Sequence, residues 1–208
     1  GIVSLLPIDS ISVSRISHPS DRFSVGDRIH AVKIATTAGI LTLTADLFVD
    51  ATGDAQLSYL AGCPTTLGRE PDHLCQPMTL CFRVANVDKK AFYANREEMN
   101  RLHKEWLDAG RVTNPRENIL VFDSPIDGVL HFNTTRVVRL NPVDPFDVTR
   151  AEMEAREQMF EMYEFLKENI EGFEQADIAF SAPQIGVRES RMIEGEYTLS
   201  QEDLLAFA

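Results

Sequence analysis

The chemistry that this sequence offers most clearly is backbone contact with a ligand at the turn Ala51-Thr52-Gly53-Asp54. Glycine has no Cβ atom, so the main chain at Gly53 can approach a bound molecule closely. The apolar run Leu47-Phe48-Val49 before the turn is typical of a strand covered on both faces, and Ala55–Ala61 after it has a helical pattern. Amides at the beginning of a helix can donate to phosphate or ribose oxygens. We therefore predict that Ala51, Thr52, Gly53 and Asp54 contact a cofactor.

A purely structural interpretation of the same turn is also open. Asp54 stands where an N-cap residue belongs, and Gly62 stands where a helix commonly ends on a glycine. Short strand–turn–helix units are common, so spacing alone favours this interpretation. The Gly-x-Gly-x-x-Gly loop that holds the diphosphate in dinucleotide-binding sheets occurs nowhere in the sequence. The chain thus carries one wall of a cofactor site and lacks the other.

Two arginines near the end of the chain, Arg188 and Arg191, form a second candidate site with Glu189. Arginine can hold a carboxylate or a phosphate through two parallel hydrogen bonds. On a strand, Arg188 would share a face with Ser190, and Arg191 would share the opposite face with Glu189. An exposed arginine–glutamate pair of little energetic value is the competing interpretation. Arg69, in the loop after the predicted short helix, is a third candidate, for which a solvated turn is the alternative.

Metal and nucleophile chemistry has little support in the sequence. Cys63, Cys75 and Cys81 are separated by twelve and six positions, whereas structural zinc sites use close pairs of ligands, so we predict no metal. The low and odd number of cysteines predicts no disulfide framework and fits a reducing, cytoplasmic compartment. No Gly-x-Ser-x-Gly motif supports a serine hydrolase. His131, in a predicted strand, could act as a general base, but the sequence assigns no catalytic acid or base.

Composition places the chain among ordinary globular proteins. Its 208 residues are 44% hydrophobic and 25% charged, which is enough for one large domain or two small ones. A formal net charge of -12 argues against nucleic acid or an anionic membrane as a partner. No apolar run approaches the ~20 residues that a membrane-spanning helix needs. A homo-oligomer is compatible with all of these values.

The pattern of apolar residues predicts an antiparallel meander, then the strand at Leu47, then a mixed α+β segment. The meander consists of Ile2–Leu6, Ile8–Ile16, Arg28–Thr37 and Ile40–Thr44, the last two paired as a hairpin through a tight turn at Gly39. Later strands are predicted over Met78–Val84, Asn118–Asp123, Val129–Asn133, Val137–Leu140, Asp177–Phe180 and Gln184–Ile193. Later helices are predicted from Asp88 to Gly110, from the capping box at Thr149 to Gly172, and from Ser200 onward.

Four stretches in this order resemble a known family. They are Val49-Asp50-Ala51-Thr52-Gly53-Asp54 with Leu60-Ala61-Gly62, then Leu67-Gly68-Arg69-Glu70, then Gln76-Pro77-Met78-Thr79-Leu80 with Phe82-Arg83-Val84, and finally Gly186-Val187-Arg188-Glu189-Ser190-Arg191 with Gly195-Glu196-Tyr197. Each stretch is weak alone, but together they cover most of the chain. The sequence resembles the FAD-dependent oxidoreductases of the glutathione-reductase-like superfamily, and in particular a bacterial group of them.

The resemblance implies a fold, a cofactor and a function. Residues 1–62 would be part of an FAD-binding domain, with the meander, the Ala-Thr-Gly strand and a short helix, and 63–208 would be an α+β substrate or cap domain. The FAD-binding glycine-rich unit and a C-terminal segment would come from further polypeptide, so the chain would be an internal fragment that is inactive and free of FAD by itself. The resemblance also favours a cofactor-contacting turn at Gly53, and a flavin or substrate cleft that Arg69, Arg188 and Arg191 face.

The complete enzyme would pass a hydride or two electrons between a small organic substrate and flavin. Two other classes remain open from the residues. One is a non-catalytic acidic α+β interaction module, in which the strand–turn–helix is only architecture. The other is a hydrolase or lyase whose acid/base pair the sequence does not reveal.

Overall fold

The computed structural model describes residues 31–37 and 39–206, which form two compact units. Described residues up to His73, together with those from Ser190 onward, form unit 1, and Leu74–Glu189 form unit 2. The predicted division into 1–62 and 63–208 stays a prediction, because compact units need not coincide with the functional domains of an enzyme. The predicted strands Ile2–Leu6 and Ile8–Ile16 lie outside the described residues.

The described part contains eight strands and four helices in three antiparallel sheets. In chain order they are β1 (Val32–Thr36), β2 (Gly39–Leu43), α1 (Gln56–Leu60), β3 (Thr65–Leu67), β4 (Phe82–Ala85), α2 (Lys89–Asp108), β5 (Val121–Asp123), β6 (Leu130–Phe132), α3 (Pro145–Asn169), β7 (Asp177–Ser181), β8 (Arg191–Ile193) and α4 (Gln201–Ala206). Among the described helices, none combines the length and apolar composition that a bilayer crossing needs.

Unit 1 contains two small sheets and two short helices. β1 and β2 form the predicted hairpin, in which Thr36 lies opposite Gly39, and Gly39 has a φ of 115° that few other residues adopt. β3 pairs antiparallel with β8, so chain segments far apart in sequence meet in this unit. α4 begins as predicted, because Ser200 Oγ accepts the Asp203 amide at 3.2 Å.

The predicted buried strand at Leu47-Phe48-Val49 is wrong for the described structure. These residues belong to no strand, and the side chains of Leu47 and Val49 are 78% and 76% exposed. An apolar run becomes a buried strand only where neighbouring strands and helices cover it, and no described strand pairs with this one.

Unit 2 is built around a four-stranded sheet in the order β5-β6-β4-β7. Alternate residues of β4 and β6 face the core, where the Phe82 and Phe132 rings stack with centroids 5.0 Å apart. The predicted apolar stripes of α2 and α3 are buried in the same core, including Phe92, Met99 and Met162. The strands predicted around Val121 and Leu130 are confirmed as the antiparallel pair β5 and β6.

The helix boundaries of unit 2 follow from their caps. Asp88 accepts the Ala91 amide at 3.1 Å, which confirms the predicted beginning of α2. The capping box at Thr149 is wrong as a helix start, because α3 begins four residues earlier at Pro145. Asp144 accepts two amides of the first turn, and proline is well tolerated at the first helical position, where its missing N–H has no partner to lose.

Two predicted strands, Val137–Leu140 and Gln184–Ile193, are much shorter than their apolar patterns indicate. Val137–Leu140 forms only an isolated bridge, between Val137 and Met78, because Arg139 has a φ of 63° that interrupts an extended chain. In Gln184–Ile193, only the isolated bridge at Gly186 and the three residues of β8 pair with other strands. Extended sequence pattern therefore overestimates pairing where no partner strand of matching length is available.

His103 is a buried imidazole whose ring nitrogens have no hydrogen-bond partner among the described residues. It packs edge-on against Phe165, with ring centroids 5.4 Å apart, and burial lowers its pKa. The pKa of His131 is lowered as well, first by burial and then by the charge of Arg83. Each of these two histidines therefore binds protons less readily in the folded chain than in the unfolded one.

Stability of unit 2 should consequently fall as the pH drops below the ordinary histidine pKa of about 6.5, because the unfolded chain then takes up protons that the folded chain does not. We expect His103→Leu to flatten this slope between about pH 7 and pH 5 and to raise stability at neutral pH by ~1 kcal/mol, since it removes an unpaired buried polar group. Urea denaturation at both pH values measures this. A slope that is unchanged in His103→Leu would contradict the assignment.

Candidate functional site

Asp50 organises the predicted turn in unit 1. Its Oδ1 accepts the Thr52 amide at 3.0 Å and the Thr52 hydroxyl at 2.8 Å. Its Oδ2 accepts the Ser58 amide and the Ser58 hydroxyl, both at 2.8 Å. Burial raises the pKa of the carboxyl, but the bonds from Ser58 and Thr52 together outweigh this and lower the pKa to about 2. The carboxylate therefore bridges the turn and α1 as a charged group.

The beginning of α1 differs from the sequence prediction. Asp54 is not the N-cap residue. Ala55 occupies that position in a left-handed conformation with a φ of 49° and caps nothing with its side chain. Thr52 Oγ1 instead accepts the Gln56 amide at 2.9 Å. The helix ends as predicted, at Ala61 followed by Gly62 with a φ of 82°.

Sequence reasoning missed Asp50 as the centre of this turn. The signal was present, since an aspartate two residues before a threonine forms an Asx turn by accepting its amide. The bond to Ser58, eight positions away, depends on the course of the chain around the turn and has no comparable local pattern.

Two residues of unit 1 hold the carbonyls of the turn. The Ser190 hydroxyl donates to the Gly53 carbonyl at 3.4 Å, and Arg191 Nη1 donates to the Asp54 carbonyl, also at 3.4 Å. The C=O and N–H of a trans peptide point in opposite directions. The amides of Asp54 and Ala55 therefore point away from Ser190 and Arg191, and neither has a hydrogen-bond partner among the described residues.

The space beside Gly53 suits a ligand that lies against the main chain. A Cβ atom built on Gly53 meets no atom of the described protein within 4 Å, and the residue has a φ of +84° that L side chains rarely adopt. Accessible main chain with an unpaired amide is the feature that FAD, as an extended dinucleotide, needs from such a turn. Gly53 and Asp54 thus fit this group, whereas Ala55 is buried, and the amide and hydroxyl of Thr52 are already used within the protein. Ala51 is exposed, and its predicted cofactor contact stays a prediction.

Arg191 is anchored next to this turn. Its guanidinium donates to Gln56 Oε1 at 2.7 Å and lies over the Tyr59 ring at 4.2 Å from the centroid. It is therefore neither in open solvent nor remote from Gly53, which is consistent with the predicted cleft residue. Arg188 belongs to unit 2, where the chain from Val187 to Glu189 forms no strand, so the predicted alternation of faces does not hold for it.

Arg69 makes a local ion pair on the surface. Its Nε and Nη2 donate to the two carboxylate oxygens of Asp72 at 2.9 and 2.8 Å, and its side chain is 70% exposed. Exposed pairs of this kind contribute little to stability. This geometry agrees with the solvated turn, and a role for Arg69 in the cleft stays a prediction.

The remaining candidates of the sequence are dispersed. Cys63, Cys75 and Cys81 are each of intermediate exposure. Within residues 31–37 and 39–206, no group of three or more histidine, cysteine or acidic side chains could hold a metal ion. His131 lies on β6 with its buried Nδ1 unpaired and its ring 6.3 Å from that of Phe122, where the described residues give it no acid or base partner.

Comparisons with known proteins identify the class of the chain. Curated proteins and solved structures give no match to it. A family model described as FAD dependent oxidoreductase matches residues 10–208, which is nearly the whole chain. The match includes the turn at Gly53, α1, and all of unit 2. The chain belongs to the FAD-dependent oxidoreductase family.

Proposed function

We propose that the chain is an internal part of an enzyme that transfers a hydride or two electrons between a small organic substrate and FAD. The observation that carries the proposal is the bare main chain at Gly53, with the unpaired amide of Asp54 next to it and open space where a Cβ would lie. Family membership supports FAD as the dinucleotide that this surface would contact. When bound, the flavin supplies the redox chemistry, while the protein supplies binding, orientation and electrostatics.

The amide of Asp54 would donate to an oxygen of the cofactor. The Asp54 carboxylate has no partner among the described residues and can accept from a hydroxyl of the ribityl chain or ribose. A carboxylate repels phosphate, so we assign this turn to the hydroxyl-bearing part of FAD and not to its diphosphate. Asp50 holds the turn in shape, while Ser190 and Arg191 donate to the Gly53 and Asp54 carbonyls on the opposite side.

Further polypeptide on both sides of this chain would supply the glycine-rich diphosphate loop and complete the flavin pocket. Residues from 63 onward would select the substrate. Under this proposal, the chain by itself is inactive and binds no FAD, because one wall of the site cannot hold the cofactor.

Expression of the complete polypeptide tests the proposal. We expect it to copurify with a yellow flavin, visible as the flavin absorption band and identifiable as FAD after denaturation, whereas the chain of 208 residues should be colourless. A complete polypeptide that is colourless and takes up no added FAD would favour an interaction module or a hydrolase instead.

The role of Gly53 can be separated from backbone strain by a matched pair of variants. Gly53 and Gly110 both have a positive φ, +84° and +69°, and both have open space at the Cβ position. In the complete polypeptide, we expect Gly53→Val to weaken FAD binding by about tenfold or more, equivalent to ~1.4 kcal/mol, because its side chain would occupy the ligand's place. Gly110→Val should leave the affinity within about threefold. Equal affinities in the two variants would show that the Gly53 turn is only structural.

A further inference from the structure

Three arginines of unit 2, Arg116, Arg136 and Arg188, meet at the segment 133–136. Arg188 donates to Asn133 in that segment, and Asn114, which accepts the Arg116 amide, donates to the Thr134 carbonyl two residues before Arg136. Burial lowers the pKa of Arg116, and the charges of Arg136 and then Arg188 lower it further. In the described part of the chain, every lysine–carboxylate or arginine–carboxylate pair involves other residues. These three guanidinium groups thus form a cluster of like charge, which we call the arginine cluster.

Buried amide side chains hold the backbones of two cluster members. The Arg116 amide donates to Asn114 Oδ1 at 3.2 Å, and Asn114 Nδ2 donates to the Thr134 carbonyl at 2.8 Å. Gln158, which is fully buried, accepts the Arg136 amide at 2.7 Å and donates to the Arg136 carbonyl at 3.1 Å. These hydrogen bonds connect the loop that contains Arg116, the loop that contains Arg136, and α3.

The third member is placed by polar side chains at the end of the central sheet. Arg188 Nη2 donates to Thr79 Oγ1 and to Asn133 Oδ1, each at 3.3 Å. Its charge also acts on Cys81. Burial raises the pKa of this thiol, and the positive charge of Arg188 offsets part of that rise. Thr79 and Asn133 are neutral, so they orient the guanidinium without neutralising it.

The arginine cluster lacks a negatively charged partner. Like charges held near one another repel; Arg116 and Arg136 are half-buried, and Arg188 is exposed, so solvent screens part of this repulsion. The protein carries 32 acidic residues against 20 lysines and arginines, yet none of its described carboxylates pairs with these three arginines. An external oxyanion would receive several charge-assisted hydrogen bonds there and would remove the repulsion.

We propose that Arg116, Arg136 and Arg188 form a binding site in unit 2 for the oxyanion of a small-molecule ligand, a carboxylate or a phosphate. Planar guanidinium groups match both chemistries through paired hydrogen bonds. All residues of this site lie in unit 2, and none belongs to the turn at Gly53 on which the flavin proposal rests. Failure of the flavin proposal would therefore leave it standing, and the reverse also holds.

Thermal unfolding of the chain with added anions tests the site. The probes are inorganic pyrophosphate and malonate, each compared with chloride at equal ionic strength, so that general screening is held constant. The single tryptophan, Trp106, lies in the core of unit 2 and reports its unfolding by fluorescence. We expect at least one of the two anions to raise the melting temperature, because a ligand that binds only the folded state stabilises it. Pyrophosphate alone would indicate a phosphate ligand, and malonate alone would indicate a carboxylate.

Variants locate the effect. Arg116→Gln, Arg136→Gln and Arg188→Gln should each weaken the apparent affinity for the active anion by about tenfold or more. Without anion, Arg136→Gln should unfold at the same or a higher temperature than the wild type, because it relieves repulsion. Arg96→Gln removes an equal charge from an exposed position of α2 and should change neither value. The proposal is overturned if neither anion stabilises the wild type more than chloride does, or if the stabilisation persists in all three cluster variants.

Discussion

Gly172→Ala is expected to lower the free energy of unfolding of unit 2 by about 3 kcal/mol or more. The new Cβ would lie 2.5 Å from the Asp88 carbonyl oxygen and 3.1 Å from the Phe92 amide nitrogen. Both contacts are with backbone of the first turn of α2, which cannot rotate away as a side chain could. Gly172 also has a φ of +95° and accepts the Asp88 amide at 2.9 Å, so the connection after α3 is bound to the beginning of α2.

Gly110→Ala is the matched control for this loss. Gly110 also has a positive φ, +69°, but nothing lies within 4 Å of its Cβ position. We expect Gly110→Ala to lower the free energy of unfolding by only about 1 kcal/mol, which is the cost of holding alanine in a left-handed conformation. Urea denaturation followed by Trp106 fluorescence measures both variants in the same unit. Similar losses for Gly110→Ala and Gly172→Ala would mean that backbone conformation, and not the close approach to α2, makes glycine necessary at 172.

Asp50→Ala is expected to unfold the turn of unit 1 locally, at a cost of about 2 kcal/mol. The substitution removes the acceptor of four hydrogen bonds, two from Thr52 and two from Ser58. Bonds to a charged acceptor contribute more than neutral ones, but the carboxylate is only partly buried, so solvent screening limits their sum. Hydrogen exchange of the Thr52 and Ser58 amides measures the opening directly.

The same carboxylate gives the turn a dependence on pH. Its pKa is lowered from 3.8 to about 2 in the folded chain, so its contribution is complete above the unfolded value and is lost as the pH falls through the folded one. Protection of the Ser58 amide in the wild type should therefore decline between about pH 4 and pH 2 and should be flat in Asp50→Ala. Asp54→Ala is the control, because the Asp54 carboxylate has no partner among the described residues. Equal loss of protection in Asp54→Ala would refute the role of Asp50.

The elements that could be predicted from the sequence are those stabilised by interactions between residues a few positions apart. The hairpin of β1 and β2 depends on one tight turn at Gly39, and the beginning of α2 depends on a bond between Asp88 and Ala91. Hydrogen bonds over a few positions leave a pattern in the residue types, and the apolar stripes of α2 and α3 leave one as well. For the same reason, the turn at Gly53 was recognisable as a candidate ligand contact.

Where two local signals compete, the surrounding chain decides between them. Asp144 with Pro145 and the capping box at Thr149 are both credible helix starts, and α3 begins at the earlier one. Leu47-Phe48-Val49 has the composition of a buried strand, but its burial depends on strands that no described part of the chain provides. Composition indicates that a segment could be a buried strand, but the strands and helices that pack against it determine whether it is buried.

The sequence by itself determined the family of this protein, most of its helices and the turn that could meet a dinucleotide. Only the tertiary structure decided which groups act together. Arg188 and Arg191 are only three positions apart. Arg191 nevertheless donates a hydrogen bond to the Asp54 carbonyl in unit 1, whereas Arg188 belongs to the arginine cluster in unit 2. The physical reason is that charge interactions act through space, so a cluster assembled from three distant segments leaves no local spacing by which the sequence could reveal it.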